Sequence, residues 1–306
     1  MRVLVTGGAG FIGSHIVDRL VLEGHEVSII DNLATGKTEN LNPAAEFYKL
    51  DIVNPRIEKV FKKEKPELIC HLAAQMDVRR SVADPAFDAQ TNIIGMLNLL
   101  ENAVRCGTRK VIFASTGGAI YGEGGPYPTT EDHPARPVSP YGISKLTGEH
   151  YLYYYQVTHG ISYVALRFAN VYGPRQDPFG EAGVVAIFTK KMLVNEQPLI
   201  NGNGMQTRDY VYVEDVVNAV LSALDNSVND TFNIGTSTET SVNDLFRLLV
   251  EITGSNVREM YAPAKKGEQM RSCLSFDKIK KSLDWDPSVP LREGLANTVA
   301  FFREKL

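Results

Sequence analysis

The chain opens with a strand-length apolar run, "RVLVT" at 2–6, that passes directly into "GGAGFIG", where Gly7, Gly10 and Gly13 recur at three-residue intervals. No other feature restricts the fold as strongly. An apolar-periodic segment follows, so the pattern predicts a buried strand, a tight turn and a helix that begins against the turn. The glycines serve three ends: one lets the chain turn tightly, one lets the backbone approach a pyrophosphate, and one lets the helix pack closely on the strand. The helix N-terminus then presents free N–H groups to the phosphates. Asp31 stands at the end of the next apolar run, placed to accept hydrogen bonds from a ribose diol. It is followed by Asn32 and Leu33 rather than by an arginine, which favours NAD over NADP. The cofactor-binding candidates are therefore Gly7, Gly10, Phe11, Ile12, Gly13, Asp31 and Asn32. Asp51 and Ile52, at the end of the third run, are added as adenine contacts, with a helix-capping Asp as the competing reading of Asp51.

Further runs of strand length lie at 26–30, 45–50, 67–72, 110–115 and 162–168, separated by helix-length segments such as 11–24, 86–107 and 140–158. Short buried strands alternating with helices imply right-handed βαβ crossovers, hence an α/β fold with a doubly wound parallel sheet of Rossmann type. The beat changes after "RFANVYGPRQDP", where Pro174 and Pro178 break the pattern until a final helix at about 291–304. We expect an NAD-binding domain at 1–169 and a smaller α/β substrate lobe at 170–306. The run "DTFNIG" at 230–235 is expected to return to the main sheet.

Hydrophobic residues make up 43% and charged residues 22% of the 306, which is ordinary for a soluble globular chain and excludes a disordered one. A net charge of -4 provides no basic field for nucleic acid. Cys70, Cys106 and Cys273 are odd in number and far apart, matching neither a disulfide framework nor a zinc site. A cytoplasmic location is expected, with no metal and no membrane contact. The N-terminus breaks on glycines too early to read as a signal peptide.

In "SPYGISKLTGEH", Tyr141 and Lys145 are one helical turn apart. A free phenol titrates near 10, so it needs help to act as a base at neutral pH. A cation about 4 Å away is worth on the order of 4 kcal/mol at an effective dielectric near 20, roughly three units of pKa before burial takes some back. Upstream, "KVIFAS" delivers Thr116 to the carboxyl edge of the sheet, where a hydroxyl can align a sugar oxygen with the phenol.

With these residues in view, the chain resembles an extended short-chain dehydrogenase/reductase, and within that group the UDP-galactose (UDP-glucose) 4-epimerase family. The similarity runs along the whole chain through "TGGAGFIGSH", "DNLATG", "HLAAQ", "NIIGMLNLL", "STGGAIYG", "SPYGISKLTGE", "RFANVYGPRQDP" and "RDYVYVED". The resemblance implies Thr116, Tyr141 and Lys145 as the catalytic set, with Lys145 also holding the nicotinamide ribose, and adds Ala73 of "HLAAQ" to the cofactor site. Relatives that dehydrate nucleotide sugars carry Asp-Glu after this Thr; here Gly117 and Gly118 stand there, leaving epimerisation or oxidation. The loop is one residue longer than the commonest epimerase pattern, so Ser115 competes with Thr116 as the catalytic hydroxyl.

By the same resemblance Arg208 and Arg271 hold the diphosphate of a UDP-sugar, and Asn170 bonds the sugar or diphosphate, with a turn-forming Asn as its competitor. Cys273 stands where the epimerases set pocket width beside carbon 2 of the sugar. Its small size implies entry of N-acetylated sugars, which is compatible with its being a buried small hydrophobe. The implied function is NAD-dependent interconversion of UDP-glucose with UDP-galactose, and of their N-acetylated counterparts, through a 4-keto sugar. A UDP-glucuronate 4-epimerase or decarboxylase, or a non-catalytic NAD-binding scaffold, are the alternatives. Helices near 92–106 and 141–158 correspond to a family dimer interface, so a homodimer is expected.

Overall fold

The structure, a computed structural model, describes residues 1–179, 183–264 and 269–306. Six strands arise before residue 170: β1 (Arg2–Thr6), β2 (Glu26–Asp31), β3 (Glu46–Lys49), β4 (Leu68–His71), β5 (Lys110–Thr116) and β6 (Ser162–Phe168). Eight more follow, all but β11 of two or three residues: β7 (Asn170–Tyr172), β8 (Ile200–Asn201), β9 (Thr207–Arg208), β10 (Tyr210–Tyr212), β11 (Asp230–Ile234), β12 (Thr240–Ser241), β13 (Tyr261–Ala262) and β14 (Arg271–Ser272) among the described residues. The main sheet has the order β11-β6-β5-β4-β1-β2-β3, and every neighbouring pair in it is parallel. The 230–235 run does come back, as β11 beside β6.

Alternation along each strand explains why both faces are covered. Val3 and Val5 join Ile29, Cys70, Ile112 and Val164 on one face, under the helices Phe11–Leu22 and Val213–Leu224. Leu4 joins Ile30, Ile69, Phe113 and Ala165 on the other, under Ile57–Glu64, Gly95–Cys106 and Pro140–His159. Successive side chains point to opposite faces, so a run with no polar break is what a sheet buried on both sides requires. A third core, around Tyr172, Phe188, Phe246 and Leu295, belongs to residues beyond 170. Phe11 and Ile12 pack against it, so the first turn of the glycine-led helix touches both halves of the chain.

One expected helix has a different internal geometry. The 86–107 segment is continuous but contains a π turn at Gln90–Ile94 between the helices Pro85–Ala89 and Gly95–Cys106. The wider turn brings Asn92 under the loop after β4, where its amide bonds both the N–H and the C=O of Gln75 at 2.8 and 2.9 Å. Such wide turns recur at functional sites.

The strand order reverses between β1 and β4, and the glycine turn lies at that point. Gly7 has φ of +75° and donates its N–H to Ile30 O at 2.9 Å. A Cβ on Gly13 would fall on the Gly7 carbonyl, so strand and helix could not meet as they do. We expect Gly13→Ala to cost several kcal/mol in thermal unfolding and to weaken NAD binding by fluorescence titration. Gly24→Ala, where a side chain meets no atom but φ is +80°, should cost about 1 kcal/mol or less; equal losses would disprove the close-packing role of Gly13.

Candidate active site

At the cofactor end, Gly10 caps the helix Phe11–Leu22 without a side-chain hydrogen bond, which leaves the first-turn N–H groups for an anion. Asp31 is buried, and its carboxylate already accepts from Ala9 N at 3.0 Å and Leu33 N at 2.8 Å. It therefore pins the glycine turn as well as facing the cleft. Asn32 donates to Asp51 at 2.8 Å, and Asp51 also accepts from Val53 N at 3.0 Å. The helix Ile57–Glu64 begins instead from Arg56, so Asp51 is not its cap. The Ile52 side chain is packed into the core against Gly95 and leaves only its backbone for a ligand. Ala73 donates its N–H to Thr6 O at 3.1 Å and lies against Gly7. These residues gather at the carboxyl ends of β1, β2 and β4, the crevice where ligands bind in such sheets. The leftover helix donors and the side-chain-free approach at Gly7, Gly10 and Gly13 suit a dinucleotide pyrophosphate.

Ser139 starts the helix Pro140–His159 by accepting from Gly142 N at 3.2 Å, with Pro140 in the first turn. That start sets Tyr141, Lys145 and Glu149 one turn apart along one side. Ser115 and Thr116 lie on alternate faces at the end of β5, and they part there. The Ser115 hydroxyl is buried and donates to Glu149 at 2.5 Å, whereas the Thr116 hydroxyl is left beside the Tyr141 phenol. Glu149 also takes a fork from Arg167, with Nη2 at 2.6 Å and Nε at 2.9 Å. Arg167 Nη1 reaches Tyr121 at 2.7 Å, and Tyr121 reaches Asn233 on β11 at 2.7 Å.

Lys145 is 4% exposed; its Nζ donates to Ala114 O at 2.8 Å and lies 4.8 Å from the Phe113 ring centre and 5.9 Å from that of Tyr141. Burial lowers its pKa to about 8, against the fields of Asp88 and Glu149. The expected depression of the Tyr141 pKa by Lys145 is corrected here. Burial pushes Tyr141 upward, the Asp88 carboxylate adds to it, and the nearby Thr116 hydroxyl opposes both. The reason is spatial: the ammonium is turned to a backbone carbonyl while the phenol has lost water.

At the substrate end, Arg208 donates from Nη1 to Thr207 O at 2.8 Å. In the register of β9 and β14, Arg271 is level with Thr207 and Ser272 with Arg208, so the two arginines start from opposite faces of this ribbon. Arg271 is engaged by Glu239, with Nε at 3.0 Å and Nη2 at 2.5 Å, and stacks 4.3 Å from the Tyr127 ring centre. Neither contact was visible in sequence, where Glu239 stands far from Arg271. The first two residues of the "GEQMRSCLSFD" motif lie outside the described residues. Asn170 donates its backbone N–H to Asp209 O at 2.9 Å at the start of β7. Cys273 is buried beside Gly117 and Thr129, and burial pushes its thiol up to about 12, so it stays neutral.

Residues 3–235 match the family model described as NAD dependent epimerase/dehydratase family. The chain belongs to that family. Over its whole length it is similar, at 52% identity and a TM-score of 0.98, to a UDP-glucose 4-epimerase of Thermotoga maritima solved with UDP-glucose, of which it covers 99%. A Thermus thermophilus UDP-glucose 4-epimerase solved with NAD is 43% identical with a TM-score of 0.95, and each chain is fully covered. A UDP-N-acetylglucosamine 4-epimerase of Methanobrevibacter ruminantium M1, in complex with UDP-N-acetylmuramic acid, is 34% identical with a TM-score of 0.94; this chain is covered in full and that one to 99%.

For a member of the epimerase/dehydratase family the Gly117–Gly118 pair has a packing consequence. A Cβ at 117 would meet the end of the Leu274 side chain, which would have to move aside, while one at 118 would meet almost nothing. Two buried groups near Lys145 escaped the sequence reading, because nothing in their spacing marks them. Asp88 is one, and His71 is the other. His71 Nδ1 lies 2.7 Å from Thr6 Oγ1, and burial, followed by the Lys145 charge, lowers its pKa to about 3.

A histidine depressed in the folded state contributes stability that is complete above its unfolded pKa near 6.5 and is lost as pH falls toward 3. We expect the share due to His71 to fall by about 2 kcal/mol between pH 7.5 and pH 5. His71→Asn should flatten that part of the dependence of the urea midpoint; an unchanged slope would place the titration elsewhere.

Proposed function

We propose that the chain is an NAD-dependent 4-epimerase that interconverts UDP-glucose with UDP-galactose and UDP-N-acetylglucosamine with UDP-N-acetylgalactosamine. The observation that carries the reading is the meeting of Thr116, Tyr141 and Lys145 at the carboxyl edge of β5, beside the glycine turn. In this reading Thr116 aligns the sugar 4-hydroxyl with Tyr141, which takes its proton and later returns one. NAD, held by the glycine turn, Asp31 and Lys145, supplies a reversible hydride acceptor, so the sequence needs no outside oxidant. Lys145, 5.9 Å from the Tyr141 ring centre and turned to Ala114 O, would swing toward the phenol to offset its charge once the proton leaves. Ser115 is committed to Glu149, which supports Thr116 as the reacting hydroxyl. Arg208 and Arg271 hold the diphosphate, and Arg271 exchanges Glu239 for phosphate to do so. Residues 170–306 serve as the substrate lobe, apart from β11. The small Cys273 leaves room for an N-acetyl group.

Purified protein with NAD should convert both UDP-galactose and UDP-N-acetylgalactosamine to their 4-epimers without net NADH, as read by chromatography. Tyr141→Phe should lose turnover at least a thousandfold and keep nucleotide binding. Conversion of only one substrate would revise the role of Cys273. Failure with both, with reaction of UDP-glucuronate, would favour the decarboxylase or glucuronate-epimerase reading; inertness with all three would favour a scaffold.

We also propose a homodimer in a reducing cytosol. The three free cysteines support the compartment, and among the described residues no helix is long and apolar enough to cross a membrane. Tyr154 and Val157, 50% and 63% exposed on the helix Pro140–His159, and Ile94 on the π turn support a partner. Val157→Arg should convert a dimeric light-scattering mass to a monomeric one; a dimer unmoved by the change would locate the interface elsewhere.

A further inference from the structure

Asp88 is fully buried on the short helix Pro85–Ala89, and among the described residues it makes no ion pair within 4 Å. A carboxylate in such a place needs several donors. It has three, each from a different segment. Oδ2 accepts from Ser144 at 2.6 Å, the residue before Lys145 on the catalytic helix. Oδ1 accepts from Gln75 Nε2 and from Asn92 Nδ2, both at 3.0 Å. Gln75 closes the loop after β4, and Asn92 is the residue that the π turn swings inward. The widened turn, the loop and the helix therefore converge on one buried negative charge.

We propose that Asp88 is the positioning residue of the Tyr141–Lys145 pair: it ties their helix to the π turn and supplies the negative charge that faces both side chains. The inference rests on the acid–base reading of Tyr141 and Lys145. Lys145 is faced by Asp88, by Glu149 and Tyr141 on its own helix, and by the neutral His71 from β4. Of the two carboxylates, Glu149 is spent on the Arg167 fork, which leaves Asp88 as the nearby anion with no cation of its own. Tyr141 is faced by Asp88, Thr116 and Lys145. Asp88 thus favours the protonated form of both members. It keeps the ammonium charged in a buried place, and it holds the phenol's proton until substrate and cofactor are present.

The consequence is an unusual signature. Removing the charge lowers the pKa of the ammonium and of the phenol together, so both limbs of the bell-shaped turnover profile should move toward acid. A residue that only braced the fold would lower the height of the bell and leave its limbs in place.

The test is the pH profile of kcat for Asp88→Asn, which keeps the shape and can bond the same neighbours once the Ser144 hydroxyl turns to accept. We expect both limbs to shift downward by at least about half a unit. Ser144→Ala keeps the charge and loses one tie; its profile should be lower but unshifted. If Asp88→Asn does not fold, Asp88→Thr, neutral and of similar volume, is measured in the same way. Unmoved limbs in a folded neutral variant, or limbs that move in opposite directions, would overturn the proposal. Tyr141→Phe separates the two levels of argument. If that variant remains active, the acid–base reading fails and this inference with it; if it is inactive while the neutral Asp88 variants keep the wild-type limbs, only this inference fails.

Discussion

A parallel sheet covered on both faces has almost no place for an unpaired polar group, and the rest of this molecule follows from that constraint. Polar side chains along β1, β4, β5 and β6 are concentrated near the carboxyl ends, where Thr6, His71, Ser115, Thr116 and Arg167 lie. Four of them are matched by another element, Thr6 with His71 and both Ser115 and Arg167 with Glu149, while Thr116 is left beside Tyr141. An isolated buried charge would cost far more than the one hydrogen bond that replaces water, so the carboxyl edge must either pair its groups or give them a ligand. Chemistry gathers there because packing forbids it elsewhere.

The helix Pro140–His159 brings that edge together. Its three inward side chains reach the neighbourhood of Thr116 through Tyr141, the β5 backbone through Lys145, and the β5–β6 polar junction through Glu149. A rigid helix offers successive turns at fixed spacing, so one anchoring event positions all three. The anchor is deep: Glu149 is joined to β6 through Arg167, onward to Tyr121 beside the Thr116 turn, and from there to Asn233 on β11. The strand that arrives late in the chain thus helps fix the arrangement of Thr116, Tyr141 and Lys145, all of which lie before residue 170. A buried ionic cluster of this kind specifies geometry more than it adds stability, because desolvation offsets much of the attraction.

The limits of β6 and of the last helix, and the arrival of Thr116 at a strand end, were legible in sequence because each depends on local apolar pattern and turn chemistry. The glycine turn was legible for the same reason. What was not legible depends on atoms distant along the chain. Tyr141 and Lys145 have the right spacing, yet the sign of the phenol's shift is decided by burial and by Asp88, more than fifty residues upstream. The π turn is drawn by hydrogen bonds between Asn92 and Gln75, and no propensity marks it. Asp31 was read as a ribose acceptor, whereas its contacts within the chain hold Ala9 and Leu33 first. Ser115 and Thr116 could not be ranked by spacing, and what separates them is the Glu149 carboxylate beneath the strand.

The Arg271–Glu239 fork gives the substrate end a property that suits exchange. Both partners are near the surface, where solvent screens the attraction and an ion pair contributes little to stability. Releasing Glu239 is therefore inexpensive, and Thr207 remains bonded to it as a second anchor. The Tyr127 ring beneath Arg271 keeps the guanidinium plane oriented while its partner changes. A diphosphate carries more charge than a carboxylate and matches the same planar fork, so it competes on favourable terms. In the proposed reading, anchoring by an exchangeable fork at the nucleotide end, together with a pocket lined by the small Gly117 and Cys273, separates the two demands on the site: the phosphates would be held while the sugar stays free to present either face.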